Sequence, residues 1–189
     1  MSPSLHQFVS SIHPLPDAFW NDLWPLTERI RLPRKSMLLR EGQVCDTLYF
    51  IEEGLARAFY FREGEEVTTW FMQENDMIIS VYSFYSQKPG YENMELLEDS
   101  TLIALKHSSL QRLYQKHPQF NFIGRVLTEH YYTLSEERTV SLRKDTARER
   151  YEKLLAAQPR IFQRTLLKYI ASYLGVTPET ISRLRAQKK

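Results

Sequence analysis

Between about Ile30 and Leu105 the hydrophobic residues come in short β-branched and aromatic runs, "TLYFI", "LARAFYF", "VTTWFM" and "TLIAL", punctuated by "EEG", "REGEE" and "EDS". Branched and aromatic side chains suit a pleated, half-buried surface, and the glycine- and acid-rich breaks suit tight turns. Several strands at this spacing confine the middle of the chain to an antiparallel roll or barrel. Both ends differ. Leu5, Phe8, Val9, Ile12, Phe19 and Leu23 fall at helical spacing, interrupted by Pro14, Pro16 and Pro25, which predicts short helices broken by turns.

After Leu105 the helical period returns. Ser108 or Ser109 is the expected cap of a helix over "SLQRLYQKH", with Pro118 ending it. The stretch "FNFIGRVLTEHYYTLSEERTVSL" predicts a long helix, in which Phe120, Ile123, Leu127 and Leu134, with His130, form one seam. Such a seam serves either a dimer interface or packing onto the roll. "TARERYEKLLAAQP" predicts a further helix with Tyr151, Leu154 and Leu155 facing inward and Pro159 closing it.

With 42% hydrophobic and 13% aromatic residues in 189, the chain can bury a core and is not of the disordered class. The N-terminal "MSPSLHQFVSSIHPLP" lacks a charged segment followed by an apolar run, so no signal peptide is expected there. No run approaches the roughly 20 apolar residues of a membrane span. The single cysteine, Cys45, cannot form an internal disulfide and fits a reducing, cytoplasmic compartment. The net charge of +2 hides a division: from Arg138 onward 13 Lys or Arg face 4 Asp or Glu, a balance of +9, against −7 before it. A basic C-terminal segment on an acidic body points to a polyanion at that end.

The segment "LLKYIASYLGVTPETISRLR" explains which polyanion. Leu167, Ile170 and Leu174 share a face of one helix, Gly175 ends it, and Thr177 with Pro178 starts a second. Two helices joined by so short a turn make a helix-turn-helix. Small Ala171, Gly175 four residues on and Ile181 six further suit a close crossing, a tight turn and a buried second helix. At 100° per residue, Ile181 and Leu184 define the buried side, leaving Glu179, Ser182, Arg183 and Ala186 outward. An arginine can donate twice to guanine and a glutamate can accept from cytosine; the alternative is a surface pair worth about 0.2–0.5 kcal/mol.

Taken with "REGQVCDTLYFIEEGLARAF", "LLEDSTLIAL", "ARERYEKLL" and "YIASYLGVTPETISRLR", the chain from about Leu26 onward resembles the Crp/Fnr family of bacterial transcription regulators, and "ETISR" is most similar to the Fnr branch. The resemblance implies an α+β protein: an N-terminal antiparallel, jelly-roll-like β-roll with flanking helices (1–117), a long dimerisation helix and hinge (118–144), and a small helix-turn-helix domain (145–189), expected here, unlike in the family, to lack a full wing. It implies a homodimer on a palindromic double-stranded DNA site, with RNA polymerase as a further partner and no membrane association. Carried over by position, Glu179, Ser182 and Arg183 are the base-reading residues; Thr177 and Thr180 are expected beside them in the DNA-contacting set, and Arg185, Lys188 and Lys189 are expected to serve phosphates in place of a wing.

The sequence departs from the family where effectors bind. Cyclic-AMP-binding members hold ribose and phosphate with a Gly-Glu pair and a following arginine. Here Ile79-Ser80 stands for the pair and the arginine position falls near Gly90, so cyclic AMP is not expected. Trp70, Ser80, Tyr82, Ser83, Tyr85, Lys88 and Tyr91 are the candidate lining for another small effector. One cysteine cannot ligate an iron–sulfur cluster, and His6, His13, His107, His117 and His130 show no metal-ligand spacing. No cofactor, metal or catalytic residue is therefore expected. A cupin-type enzyme is the competing class, but it needs strand histidines and none lies between Ile30 and Leu105. The remaining alternative is a ligand-sensing or protein-interaction module with a degenerate DNA-binding tail.

Overall fold

The computed structural model describes residues 2–186. The chain begins with helices α1 (Pro3–Ile12) and α2 (Asp17–Leu23) and a 3-10 turn, Trp24–Leu26. Ser2 caps α1 by accepting from the Leu5 N–H at 3.1 Å. Eight strands follow: β1 (Thr27–Leu32), β2 (Met37–Leu39), β3 (Thr47–Glu53), β4 (Ala56–Arg62), β5 (Glu65–Met72), β6 (Met77–Ile78), β7 (Asn93–Leu96) and β8 (Ser100–Lys106), with helix α3 (Val81–Ser86) between β6 and β7. They form two four-stranded sheets, ordered β1-β8-β3-β6 and β2-β7-β4-β5. β8 runs antiparallel to both of its neighbours, so Leu102 faces Ile30 on one side and Ile51 on the other. The β4–β5 turn places Glu63 at φ 53° and Gly64 at φ 84°, the left-handed pair that a two-residue hairpin turn requires.

Helices α4 (His107–Lys116), α5 (Phe120–Lys144), α6 (Ala147–Ala157), α7 (Ile161–Arg164), α8 (Leu167–Leu174) and α9 (Pro178–Ala186) complete the described chain. The α+β class and the roll-then-helices order are those implied by the family resemblance. One local expectation fails. Neither Ser108 nor Ser109 caps α4, which starts at His107 behind Lys106 with no side-chain cap. The reason is tertiary: the His107 N–H donates to the Asp46 carbonyl at 2.7 Å, which satisfies an amide that a serine would otherwise serve. Ser109 is buried and accepts from Arg112.

The chain divides into two compact units, one of residues through Ala58 with Phe71–His130, the other of Phe59–Trp70 with Tyr131 onward. In the first, Phe50, Ile51, Ile78, Phe84, Leu96 and Leu102 are buried. So is Arg57, whose Nε and Nη2 both donate to one Glu95 oxygen, at 3.1 and 2.8 Å; a buried guanidinium persists only with such partners. In the second, Tyr151, Leu154, Ile161, Ile170, Ala171, Leu174 and Ile181 form a small core. Leu155, expected inside, is only half-buried.

Candidate nucleic-acid interface and effector site

The terminal helix pair is built by local chemistry. Gly175 ends α8 at φ 64°, its N–H reaching back to Ser172 O at 3.1 Å, while the Val176 N–H reaches Ala171 O at 3.0 Å. A left-handed residue with these bonds closes a helix end and turns the chain sharply. Thr177 Oγ1 accepts from the Thr180 N–H at 3.3 Å, and Pro178 occupies the first position of α9. Ala171 at 1% exposure and Ile181 at 0% fill the crossing.

On the opposite side of α9, Glu179, Ser182, Arg183 and Ala186 are exposed; Arg185, on the flank nearer Ile181, and Thr177 are also exposed, while Thr180 is half-buried. The Ser182 hydroxyl donates to Pro178 O at 3.1 Å. The Glu179 carboxyl is held below its ordinary range by its own backbone N–H, the Thr177 hydroxyl and the charge of Arg183, so it is ionised at neutral pH. Arg183 has no hydrogen bond or ion pair within the bonding distances among the described residues. The Arg185 guanidinium lies over the Phe162 ring at 5.5 Å. Lys188 and Lys189 lie outside the described residues.

Charge counting missed that two arginines of the basic segment point inward. Arg138, on α5, donates to Tyr173 O at 2.8 Å and sits over the Tyr173 ring at 3.6 Å. Arg150, on α6, donates to Leu174 O at 2.8 Å and to Asp145 O at 2.6 Å. The last carbonyls of α8, unpaired within the helix, are thus capped by guanidinium groups. The sequence signal was available: arginines twelve apart on successive helices ahead of a glycine-ended helix. In the same unit the Thr68 N–H donates to Ser172 Oγ at 3.2 Å, tying the β4–β5 hairpin to α8.

Along α5, Phe120 and Ile123 are buried inside the first unit, Phe120 against Phe19 at 4.6 Å and Tyr114 at 5.0 Å. Leu127 and Leu134 are half-buried and His130 is exposed. Tyr132, Val140 and Leu142 leave further apolar surface open, at 67%, 53% and 42% exposure.

Of the candidate effector residues, Tyr82 and Tyr91 meet with ring centroids 6.1 Å apart. Trp70 falls in the second unit, half-buried. In the first, Tyr82, Tyr85, Lys88 and Tyr91 are exposed, whereas Ser80 and Ser83 are buried. Ser80 Oγ donates to Glu92 at 3.0 Å; Ser83 Oγ accepts from the Cys45 N–H at 2.8 Å and donates to Lys88 O at 2.6 Å. Gly42 N–H to Gly90 O at 2.8 Å and Gly90 N–H to Gln43 O at 3.0 Å close the loop further. The nearest charged side chain to Ser80 is therefore a carboxylate, not the guanidinium that a cyclic phosphate needs. A cleft of about 390 Å³ lies instead along Leu38, Leu39, residues 43–47, Tyr49 and Met94, none of them in the expected lining; its walls come together only by strand pairing.

Among the described residues no three His, Cys, Asp or Glu side chains are grouped to hold a metal ion, and no helix is long and apolar enough to cross a membrane.

Residues 29–117 match the cyclic nucleotide-binding domain family. The anaerobic regulatory protein of Bacillus subtilis (strain 168) is 28% identical over 102 residues, 51% of this chain and 42% of that protein, so the match spans less than half of that relative. FixK2 from Bradyrhizobium japonicum shares the fold with a TM-score of 0.73, at 20% identity over 85% of this chain and 83% of that one. A CooA variant from Carboxydothermus hydrogenoformans covers 99% of this chain and 85% of its own, at 16% identity and a TM-score of 0.71.

Proposed function

We propose that this chain, whose residues 29–117 match the cyclic nucleotide-binding domain family and whose fold is shared with FixK2 and CooA, is a regulator of the Crp/Fnr type: homodimeric, sequence-specific in DNA binding and working in the cytoplasm. Residues 1–117 act as the sensor, 118–144 as the dimerisation helix and hinge, and 145–189 as the DNA reader. One observation carries the proposal: Glu179 and Arg183 stand a turn apart on the exposed side of α9, opposite the fully buried Ile181. Arg183 then reads guanine and Glu179 cytosine in a major groove, with Ser182 beside them and Thr177, Thr180, Arg185, Lys188 and Lys189 toward phosphates. Dimer contacts come from Leu127, His130 and Leu134 together with the exposed Tyr132 and Val140, since Phe120 and Ile123 already serve the protomer's own core. Related by a two-fold axis, two such helices meet half-sites about 34 Å apart.

The sensor's effector is a small molecule other than cyclic AMP. The carboxylate of Glu92, engaged with Ser80, disfavours an incoming phosphate. The Thr68–Ser172 bond gives the hairpin a direct hold on α8, the first helix of the helix-turn-helix, a route for the signal. The test is Arg183→Ala in a fluorescence-anisotropy titration with a cognate duplex. One bidentate base contact is worth about 1–3 kcal/mol, so affinity should fall between about fivefold and a hundredfold, with dimerisation unchanged. Equal affinity of parent and variant would remove the assignment.

A further inference from the structure

The cleft in the roll has the size of a ligand site. Its volume of about 390 Å³ falls within the roughly 300–1,000 Å³ typical of small-molecule pockets. Leu39, Cys45, Thr47 and Met94 are buried in its walls, while Val44, 40% exposed, stands at the rim. No Lys, Arg or His lines it. The one charged lining group, Asp46, already accepts from Thr47 Oγ1 at 2.7 Å and from Lys106 Nζ at 3.0 and 3.2 Å. Burial pushes both the Cys45 thiol and the Tyr49 phenol above their ordinary ranges, so both stay protonated and neutral. An anion entering this cleft would bear the cost of shedding water and meet no cation in the lining, while the nearby Lys106 is already engaged by Asp46. A neutral molecule escapes that cost.

The cleft wall is also bonded to α3. Besides the Cys45 N–H to Ser83 bond, Gln87 Nε2 donates to Cys45 O at 3.2 Å. Anything that shifts residues 43–47 therefore pulls on α3.

We infer that this cleft is the roll's effector site and takes a small uncharged molecule, its apolar body against Leu38, Val44 and Met94 and its hydrogen-bonding group toward Gln43 or Tyr49. Calling the ligand an effector rests on the proposed sensor role; occupancy of the cleft does not, and is measured with no DNA present.

The probes are two dyes with the same rings, neutral N-phenylnaphthylamine and its anionic counterpart anilinonaphthalenesulfonate, titrated into the full chain, with cyclic AMP as a competitor. The neutral dye should saturate, bind at least about tenfold more tightly than the sulfonate, and resist displacement by cyclic AMP. Val44→Trp, a rim substitution, should weaken it by at least about tenfold with circular dichroism unchanged. Should that variant fail to fold, the parent protein still decides the matter: saturating neutral dye should slow alkylation of Cys45 by a neutral maleimide. Absence of saturable binding, equal affinity for the two dyes, an unaffected Val44→Trp or an unprotected Cys45 overturns the inference. Saturable binding by a protein that ignores every duplex would uphold the cleft and overturn only the regulator proposal.

Discussion

The α3 region and the α9 helix both carry polar side chains beside a helix terminus, and they use them in opposite ways. Around α3 the hydroxyls of Ser80 and Ser83, the Gln87 amide and the Gly90 backbone are all bonded to neighbouring protein atoms. On α9 the Arg183 side chain faces solvent with Ile181 buried behind it, and the equally exposed Glu179 is bonded only locally, to its own N–H and the Thr177 hydroxyl. A paired group must give up its partner before it can bind a ligand, whereas a solvated charge gives up only water. This contrast is what favours α9 as the recognition surface in the proposed function, while the polar groups of the α3 loop are engaged within the protein.

The comparison breaks most severely at Ile181. At 0% exposure, its replacement by Ala should cost about 2–5 kcal/mol, enough to loosen the helix-turn-helix while the roll keeps its structure. Hydrogen exchange should show protection lost in α8 and α9 and kept in β3 and β8; uniform loss across the chain would deny that the two units hold their cores separately.

A smaller effect tests the other side. A Cβ added at Gly90 would lie 3.0 Å from Ser83 Cβ and 3.4 Å from Ser80 Oγ, so Gly90→Ala should cost roughly 1–3 kcal/mol by overpacking. Thermal denaturation should register that loss, with DNA affinity unchanged at temperatures where the protein is folded. A gain in stability would mean that the α3 loop is looser than its hydrogen bonds indicate.

The smallest effect is acid sensitivity in the reader. Lys153 and Ser141 hold the Asp145 carboxyl below its ordinary range, with Lys153 Nζ at 2.6 Å. A lowered folded-state pKa contributes stability that is present above the unfolded value, about 3.9 for Asp, and is lost as pH falls through the folded one. Asp145→Asn should therefore flatten the dependence of thermal midpoint on pH below about 4 and lower the midpoint slightly at neutral pH. Parallel profiles for parent and variant would show the pair to be inert.

What was legible in the sequence followed from short-range rules. Gly175 as a helix end, Thr177–Pro178 as a helix start and the outward Glu179–Arg183 side needed only spacing and backbone preference, and the roll announced itself in its runs and turns. What depended on distant partners was not legible. The start of α4 was displaced because Asp46, some sixty residues earlier, supplies its first acceptor. Arg138 and Arg150 counted as surface charge until the carbonyls of α8 were found beneath them. The cleft joins the β2–β3 segment to Met94 of β7, a meeting set by strand order, on which local periodicity is silent.

Selection from random duplexes at low ionic strength tests the central claim most directly, run in parallel on the parent and Arg183→Ala. The parent should enrich a two-fold symmetric site with half-sites about 10 base pairs apart, centre to centre, and the variant should lose preference at one position of each half-site. Failure of the parent to enrich any sequence would contradict the account.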